Sequence, residues 1–164
     1  MKTGIATMAL LSAAMLAGCQ TGAAKKGLSP GATNTAAAEG LCVTLELTKR
    51  DFVVGEKMNV TITARNLTSQ PLTIKAASET PYFVKVWHNI GVGWEVVKQY
   101  PQSEMLIMTA WRLAAKAERK FNVSVSVEPD WPTGELLRLT AELNGRPKPV
   151  PGVTITVAPL PEPK

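Results

Sequence analysis

The chain has 164 residues, of which 45% are hydrophobic and 19% charged, and its formal net charge is +5. This length allows one domain with terminal extensions, and the apolar fraction excludes a wholly disordered chain. One histidine and two cysteines, His88, Cys19 and Cys42, exclude a Cys/His zinc cluster, a two-histidine metal site and a scaffold of several disulfides. Basic residues are spread among acidic ones, so the charge predicts no nucleic-acid interface.

The first nineteen residues have the layout of a bacterial export signal. Lys2 is followed by an uncharged run of sixteen residues from Thr3 to Gly18, which is shorter than the roughly 20 residues that a helix needs to cross a bilayer. The run ends in Leu16-Ala17-Gly18-Cys19, which resembles the lipobox of bacterial lipoproteins. The resemblance implies that residues 1–18 are a removable signal peptide and that Cys19 is the lipid anchor. The alternative is an ordinary secretion signal with an incidental cysteine.

Residues 19–40 are predicted to be the lipidated cysteine and a flexible tether. They contain no aromatic residue and one large aliphatic residue, Leu28, so they bury too little apolar surface to fold. In lipoproteins that stay at the inner membrane, the lipidated cysteine is usually followed by aspartate. Here Gln20 follows Cys19, so the resemblance favours the outer membrane in a host with two membranes. Residues 159–164 contain three prolines and are predicted to be a short extended tail.

Residues 41–158 are predicted to form one β domain. Apolar and polar residues alternate with a period of two, which is typical of half-buried strands, and the clearest runs are 43–47, 58–64, 123–127 and 153–157. Turn sequences separate these runs at short intervals, and residues 82–88 and 94–99 form the best local hairpin. The pattern predicts an all-β fold, namely an immunoglobulin-like antiparallel β-sandwich of about eight strands.

The strand that begins at Tyr82 has two candidate outer faces. Phe83 and Trp87 point to one side and Val84 and Val86 to the other, because side chains alternate along a strand. The sequence alone leaves open which of the two sides faces outward.

Residues 103–120 fit two structures. They are rich in good helix formers, yet Met105 to Met108 is a continuous apolar run of the kind that a buried strand also contains. We favour a strand from about Met105 to Leu113 followed by a turn over residues 114–118. A helix is the alternative.

Several strand and turn patterns resemble a known family. Residues 55–57, 60–66 and 69–74 resemble the opening of many bacterial Ig-like domains, in which a strand ends in asparagine and a proline begins the next. Residues 82–87, the following hairpin and residues 130–141 resemble the intracellular-proteinase-inhibitor (BsuPI-type) family of Ig-like domains. In that family a Pro-Gly pair often opens the turn that here reads Ala115-Lys116-Ala117. The resemblance implies the fold, and no inhibitory residue is transferred to this chain.

No catalytic chemistry is predicted. His88 ends a strand, and the sequence places no nucleophile or carboxylate beside it, so we expect a structural or surface role. Cys42 is expected to pack at the start of a strand, with a reactive thiol or an intermolecular disulfide as the alternative. Acidic residues are dispersed, and the chain contains neither a Gly-rich phosphate loop nor a Gly-x-Ser-x-Gly motif. We therefore predict a protein that is not an enzyme and has no metal or cofactor, and we expect no small-molecule ligand.

Aromatic residues supply the best candidates for partner binding. Tyr100, Trp111 and Trp131 lie in or beside predicted connections, where a partly exposed ring is a common anchor for proteins or sugars. The alternative is that these rings fill the core of the sandwich and its ends.

The leading hypothesis is an envelope-anchored lipoprotein that presents a non-catalytic Ig-like domain for protein–protein interaction or envelope assembly. Its expected partners are the membrane, through the lipid on Cys19, and another envelope protein, but not nucleic acid. One alternative is a proteinase inhibitor that acts through an exposed loop within Gln99 to Leu113. A second alternative is polysaccharide or peptidoglycan binding through exposed tryptophans.

Overall fold

The structure, a computed structural model, describes residues 31–102, 107–146 and 148–161. The predicted signal peptide, Cys19 and the first part of the predicted tether lie outside these described residues. In the described ranges the chain forms eleven strands: β1 Ala32–Ala38, β2 Leu41–Leu47, β3 Asp51–Val53, β4 Lys57–Asn66, β5 Leu72–Ala76, β6 Tyr82–Asn89, β7 Trp94–Tyr100, β8 Thr109–Leu113, β9 Glu118–Ser126, β10 Leu136–Leu143 and β11 Gly152–Ala158.

The strands form two large sheets and one small one. The four-stranded sheet has the order β1-β2-β4-β9, the five-stranded sheet the order β3-β11-β10-β6-β7, and β5 pairs with β8. All pairs are antiparallel except β3 with β11. The predicted all-β sandwich is confirmed. The strands that the sequence did not predict include β1, which lies in the predicted tether, and β3, which has only three residues.

The core lies between the two large sheets. On β4 every second side chain, from Met58 to Ala64, is buried, and on β10 the same holds from Leu137 to Leu143. Both sets belong to one continuous cluster of buried hydrophobic residues. The period of two in the sequence therefore places one face of each sheet against the other and leaves the opposite face outward.

Strand β1 corrects the predicted tether. Residues 32–38 pair along their whole length with β2, and Ala32 is fully buried, so the β domain begins nine residues earlier than residue 41. The two residues between these strands, Glu39 and Gly40, both have positive φ, which is typical of a tight hairpin loop. Such loops usually contain Asn-Gly or Asp-Gly, so this hairpin lacks its usual sequence signal.

Residues 109–126 confirm the strand and the turn predicted for the ambiguous segment, but the strand is shorter than expected, because Ile107 and Met108 lie outside it and are exposed. Thr109–Leu113 is β8, a turn follows, and β9 begins at Glu118, so the helical alternative is wrong for these residues. Residues 103–106, and with them the expected start of the strand at Met105, lie outside the described part of the chain. The predicted hairpin is also confirmed, because β6 and β7 pair from Asn89–Trp94 to Val84–Tyr100.

The registers place several chain segments at one end of the sandwich. Ala32, the first residue of β1, pairs with Leu47 at the end of β2, and Leu47 pairs with Val60 near the start of β4. The end of β9 lies at the same end of the sheet, because Ser126 pairs with Lys57. The ends of β3 and β11 meet the same region, since Val54 N donates to Ala158 O and Gly55 N to Val127 O. The β6–β7 loop lies there too, because the start of β10 pairs with the end of β6. We call this the β1-start end.

Candidate functional site

A cleft of about 180 Å³ lies on the outer face of the five-stranded sheet. Trp87 of β6 is paired with Arg138 of β10 on one side and with Val96 of β7 on the other. Trp94 lies two residues before Val96 and so points to the same face. The cleft is lined by Trp87, Trp94, Arg138, Thr140 and Val150.

Trp87 forms the fixed wall of this cleft. Its side chain is half-buried, and its Nε1 donates a hydrogen bond of 2.8 Å to Oγ1 of Thr140. Thr140 is only 3% exposed beneath it, so this bond satisfies a hydroxyl that would otherwise lose its water partner. The bond fixes the plane of the indole ring before any partner arrives.

Trp94 forms the open wall. Its side chain is 45% exposed, and its neighbour on the same face, Val96, is also exposed. Val84 and Val86 point into the core, so the side of β6 that carries Phe83 and Trp87 is the outer one. The structure thus shows which side of β6 faces outward, which the alternation of side chains left open. Several large apolar groups lie on this outer face.

Arg138 supplies the charge of the cleft. It is exposed, and no carboxylate within the described ranges forms an ion pair with its guanidinium. Lys85, on the same face, instead binds Glu142 at 2.8 Å. Gly152 makes room for the arginine, since a Cβ at this position would lie 2.9 Å from Arg138 Nε. The cleft therefore combines two indole rings with a cation that is available to an acidic group.

The predicted anchors Trp131 and Tyr100 hold the sandwich together instead. Trp131 is only 2% exposed, and the ring of Tyr100 packs against it with centroids 6.5 Å apart. Tyr100 Oη also donates to the carbonyl of Ser126 at the end of β9, 3.2 Å away. The hypothesis that Trp131 is an exposed partner-binding residue is wrong, because its ring is buried in the core cluster and covered by Tyr100.

Lys98 strengthens the same seam between β7 and the segment after β9. Its Nζ lies 2.7 Å from both Asp130 Oδ2 and Glu128 Oε2, and hydrogen bonds to these carboxylates raise the pKa of Lys98. Burial, followed by the nearby charge of Glu128, raises the pKa of the Tyr100 hydroxyl. Strand β7 is thus fixed along its inner face while its outer face presents the cleft.

Trp111 also packs inward. It meets Phe121 edge to face with ring centroids 5.8 Å apart, and the guanidinium of Arg119 lies 5.4 Å from the Trp111 ring. The ring is half-buried and packs against the main core cluster. Of the three predicted anchors, none lies on the face that forms the cleft.

The structure contradicts part of the sequence interpretation of His88 and agrees with that of Cys42. The statement that no carboxylate lies beside His88 is wrong, because Glu135 Oε2 contacts His88 Nε2 across the start of β10. The sequence did not reveal this partner, because Glu135 lies 47 positions after His88. Cys42 is buried in β2, as expected from packing at a strand start. Within the described ranges no group of three or more His, Cys, Asp or Glu residues is placed to hold a metal ion.

The loop proposed for protease inhibition is only partly described. Gln99 and Tyr100 belong to β7, and Thr109–Leu113 is β8, so the connection itself spans residues 101–108. Ile107 and Met108 are exposed at its end.

Among the residues described, no helix is both long and apolar enough to span a bilayer.

Comparisons with known proteins give a fold likeness and no family. No family model and no curated protein sequence matches this chain. The chain is similar to the sporulation control protein Spo0M from Bacillus subtilis, with a TM-score of 0.51 and 12% identity over 74% of this chain and 50% of that one. It is also similar to the alkylpurine DNA glycosylase AlkC from Pseudomonas fluorescens, with a TM-score of 0.48 and 14% identity over 73% of this chain and 30% of that one. The chain thus spans half the length of Spo0M and less of AlkC.

Proposed function

We propose that this chain is a non-catalytic binding protein of the bacterial envelope, anchored by lipid at Cys19, that docks a segment of another envelope protein on its aromatic cleft. The observation that supports this most directly is that the exposed Trp94 and Arg138, which has no ion-pair partner among the described residues, line one cleft beside the fixed ring of Trp87. Tryptophan and arginine are among the residue types most enriched where protein partners bind tightly.

The chemistry of the cleft favours a polypeptide segment that has both an apolar and an acidic side chain. The indole walls would bury the apolar group, and the guanidinium of Arg138 would pair with the carboxylate. In the described strand order β7 is the outermost strand of its sheet, so an extended segment could also add to its edge beside the cleft. The extra residue Val97 interrupts the β6–β7 register and limits such pairing to a short stretch.

Glycan binding is the second candidate, and the exposed ring of Trp94 favours it. An indole face stacks well on the apolar face of a sugar ring. The polar side chains of the cleft are Arg138 and Thr140, however, and the Thr140 hydroxyl already accepts from Trp87. Few groups are left for sugar hydroxyls. Titration with soluble peptidoglycan fragments should leave the tryptophan fluorescence unchanged, and saturable quenching would favour the glycan.

Site-specific photo-crosslinking in native cells tests the proposal. A photoreactive phenylalanine analogue replaces Val96, which lies on the cleft face, or Ser124, which is exposed on the outer face of the other large sheet. We expect one discrete crosslinked protein band from position 96 and none from position 124. The band should be lost when Trp94→Ala or Arg138→Glu is added.

Two results would contradict the proposal. Equal crosslinking from positions 96 and 124 would mean that the cleft face is not preferred. A band from position 96 that survives both Trp94→Ala and Arg138→Glu would mean that the cleft does not bind the crosslinked partner. Arg65→Glu is the matched charge control, because Arg65 is exposed on the other large sheet.

A further inference from the structure

We propose that the β1-start end of the sandwich faces the lipid bilayer and that the β6–β7 loop inserts into the bilayer surface. This inference rests on the proposed anchor at Cys19 and assigns a second membrane contact to the folded domain. The bilayer it contacts is the one that holds the anchor.

Exposed apolar side chains are concentrated at this end. Ile90 and Val92 lie in the β6–β7 loop, Leu136 begins β10, and Leu160 follows β11. All four are at least half exposed, and Val92 is 93% exposed. The registers place all of these segments at the end where Ala32 begins β1. Scattered single apolar residues on a surface are ordinary, but four from three separate segments at one end mark a contact surface.

The fold of the loop does not require an apolar residue at its tip. Gly91 N donates to Asn89 Oδ1 at 2.9 Å, and Ile90 N donates to Gly93 O at 3.0 Å, so the turn is formed by other residues. A positive φ of 85° explains the glycine at position 91. Val92 stands between Gly91 and Gly93, and a Cβ added at either glycine would meet no heavy atom within 4 Å. The Val92 side chain therefore projects into open solvent.

The chain that leads to the anchor arrives at the same end. Twelve residues separate Cys19 from Ala32, and they span at most about 43 Å even when fully extended. The ten residues of β4 give the sandwich a length of about 33 Å. An orientation with the β1-start end toward the membrane therefore needs the least tether. Holding the loop this close keeps its effective concentration at the bilayer on the order of millimolar, so a weak insertion suffices.

The charges near this end indicate apolar insertion and not attraction to anionic lipids. The β6–β7 loop is flanked by acids, since Glu95 follows Trp94 and Glu135 precedes Leu136. The basic residues Lys49, Arg50 and Lys57 lie around β3 and the start of β4, and Lys49 is already paired with Glu56 at 2.6 Å. Acidic side chains beside the loop oppose binding to an anionic surface. The contact should therefore resist high salt, which screens exposed charges but does not weaken the burial of Ile90 and Val92.

Fluorescence quenching in vesicles tests this orientation. The lipid-modified full chain with Val92→Cys, or with Ser69→Cys as the matched control, is labelled with the same environment-sensitive dye and reconstituted into phosphatidylethanolamine and phosphatidylglycerol vesicles. Ser69 is exposed beyond the far end of β4. Nitroxide-labelled lipids should quench roughly half of the emission at position 92 and little at position 69, because interfacial insertion reaches only about 5–10 Å.

Additional variants separate this inference from the proposed function. Ile90→Asp in the Val92→Cys chain should reduce the quenching at least about threefold, because a charge then enters the interface. Trp87→Ala, which alters the cleft, should leave it unchanged. A chain that floats with the vesicles but is quenched equally at 92 and 69 overturns the inference and leaves the anchor in place. A chain that does not float contradicts both, and a protein crosslink at position 92 without lipid quenching assigns the loop to a protein partner instead.

Discussion

The outer faces of the two large sheets follow the same alternation of residues but present different chemistry. On the four-stranded sheet a depression of about 290 Å³ is lined by residues 59–61 and 122–124. Its side chains are short and polar, because Val60 and Val123 point toward the core. On the five-stranded sheet the cleft is smaller, about 180 Å³, but it has two indole walls and a guanidinium. The larger depression is therefore the weaker candidate for a binding site.

The difference shows that the walls of a depression matter more than its volume. Thr61 Oγ1 donates to Asn122 Oδ1 on the four-stranded sheet, so these groups satisfy each other or bind water at little cost. Water against Trp87 and Trp94 has no such partners, and a ligand that displaces it gains free energy in proportion to the apolar area covered. Of the two depressions, only the cleft on the five-stranded sheet therefore gains hydrophobic free energy when a partner covers it.

Trp87→Ala should produce the largest effect on stability among substitutions on either outer face. It removes a half-buried ring and leaves the buried hydroxyl of Thr140 without its donor. We expect the free energy of unfolding to fall by about 2–3 kcal/mol. Urea unfolding of the full chain in detergent measures this loss.

Trp87→Phe is the control for this prediction. It keeps most of the apolar ring but removes the Nε1 donor, so it should cost about 1 kcal/mol. A free energy of unfolding for Trp87→Ala within about 0.5 kcal/mol of the parent would mean that the ring is an ordinary surface side chain. The two outer faces would then be energetically alike, and the comparison would fail.

The fold was predictable where the local pattern and the tertiary contacts agree. The alternation around Val60 and Ile155 predicted strands, and their buried side chains confirm them. Strand β1 was not predictable, because its alanines and threonines have little apolar surface and it is stabilised by backbone pairing to β2. Its Glu39–Gly40 loop adopts a hairpin conformation without the usual residue types.

The candidate site was less predictable than the fold. Trp131 precedes a proline-containing turn, which suggested exposure, but Tyr100 reaches it from a strand 31 positions earlier and covers it. Trp87 and Trp94 could be recognised as flanking a hairpin, but Arg138 joins them only through the pairing of β10 with β6. Long-range strand pairing decides which aromatic residues meet a charge, and a single sequence does not contain that information.

Gly152→Ala should sharpen the comparison by moving Arg138 without changing either tryptophan. The new Cβ would lie 2.9 Å from Arg138 Nε and 3.2 Å from Thr140 Cγ2, so the flexible guanidinium must shift. The guanidinium is exposed and can move, and the buried Thr140 methyl must yield by only a few tenths of an ångström, so we expect stability to change by no more than about 1 kcal/mol. Crosslinking from position 96 should fall about tenfold, which corresponds to about 1.4 kcal/mol of binding free energy.

Thr154→Ala is the matched variant for that experiment. Thr154 pairs with Arg138 across β10 and β11 and is exposed, so its truncation removes atoms beside the arginine without crowding it. It should leave the crosslinking yield unchanged. Equal yields from the parent, Gly152→Ala and Thr154→Ala would mean that the position of Arg138 does not matter for binding.

Asn122→Ala should have the smallest effect and tests the polar face directly. It removes an exposed hydrogen bond of 3.2 Å to Thr61, and water replaces the lost partner. We expect the free energy of unfolding to stay within about 0.5 kcal/mol of the parent and crosslinking from position 96 to be unchanged. Loss of the crosslink would show that binding depends on the four-stranded sheet, because Asn122 lies on the sheet opposite the cleft. The same urea and crosslinking measurements then compare the contributions of the two outer faces to stability and to partner binding.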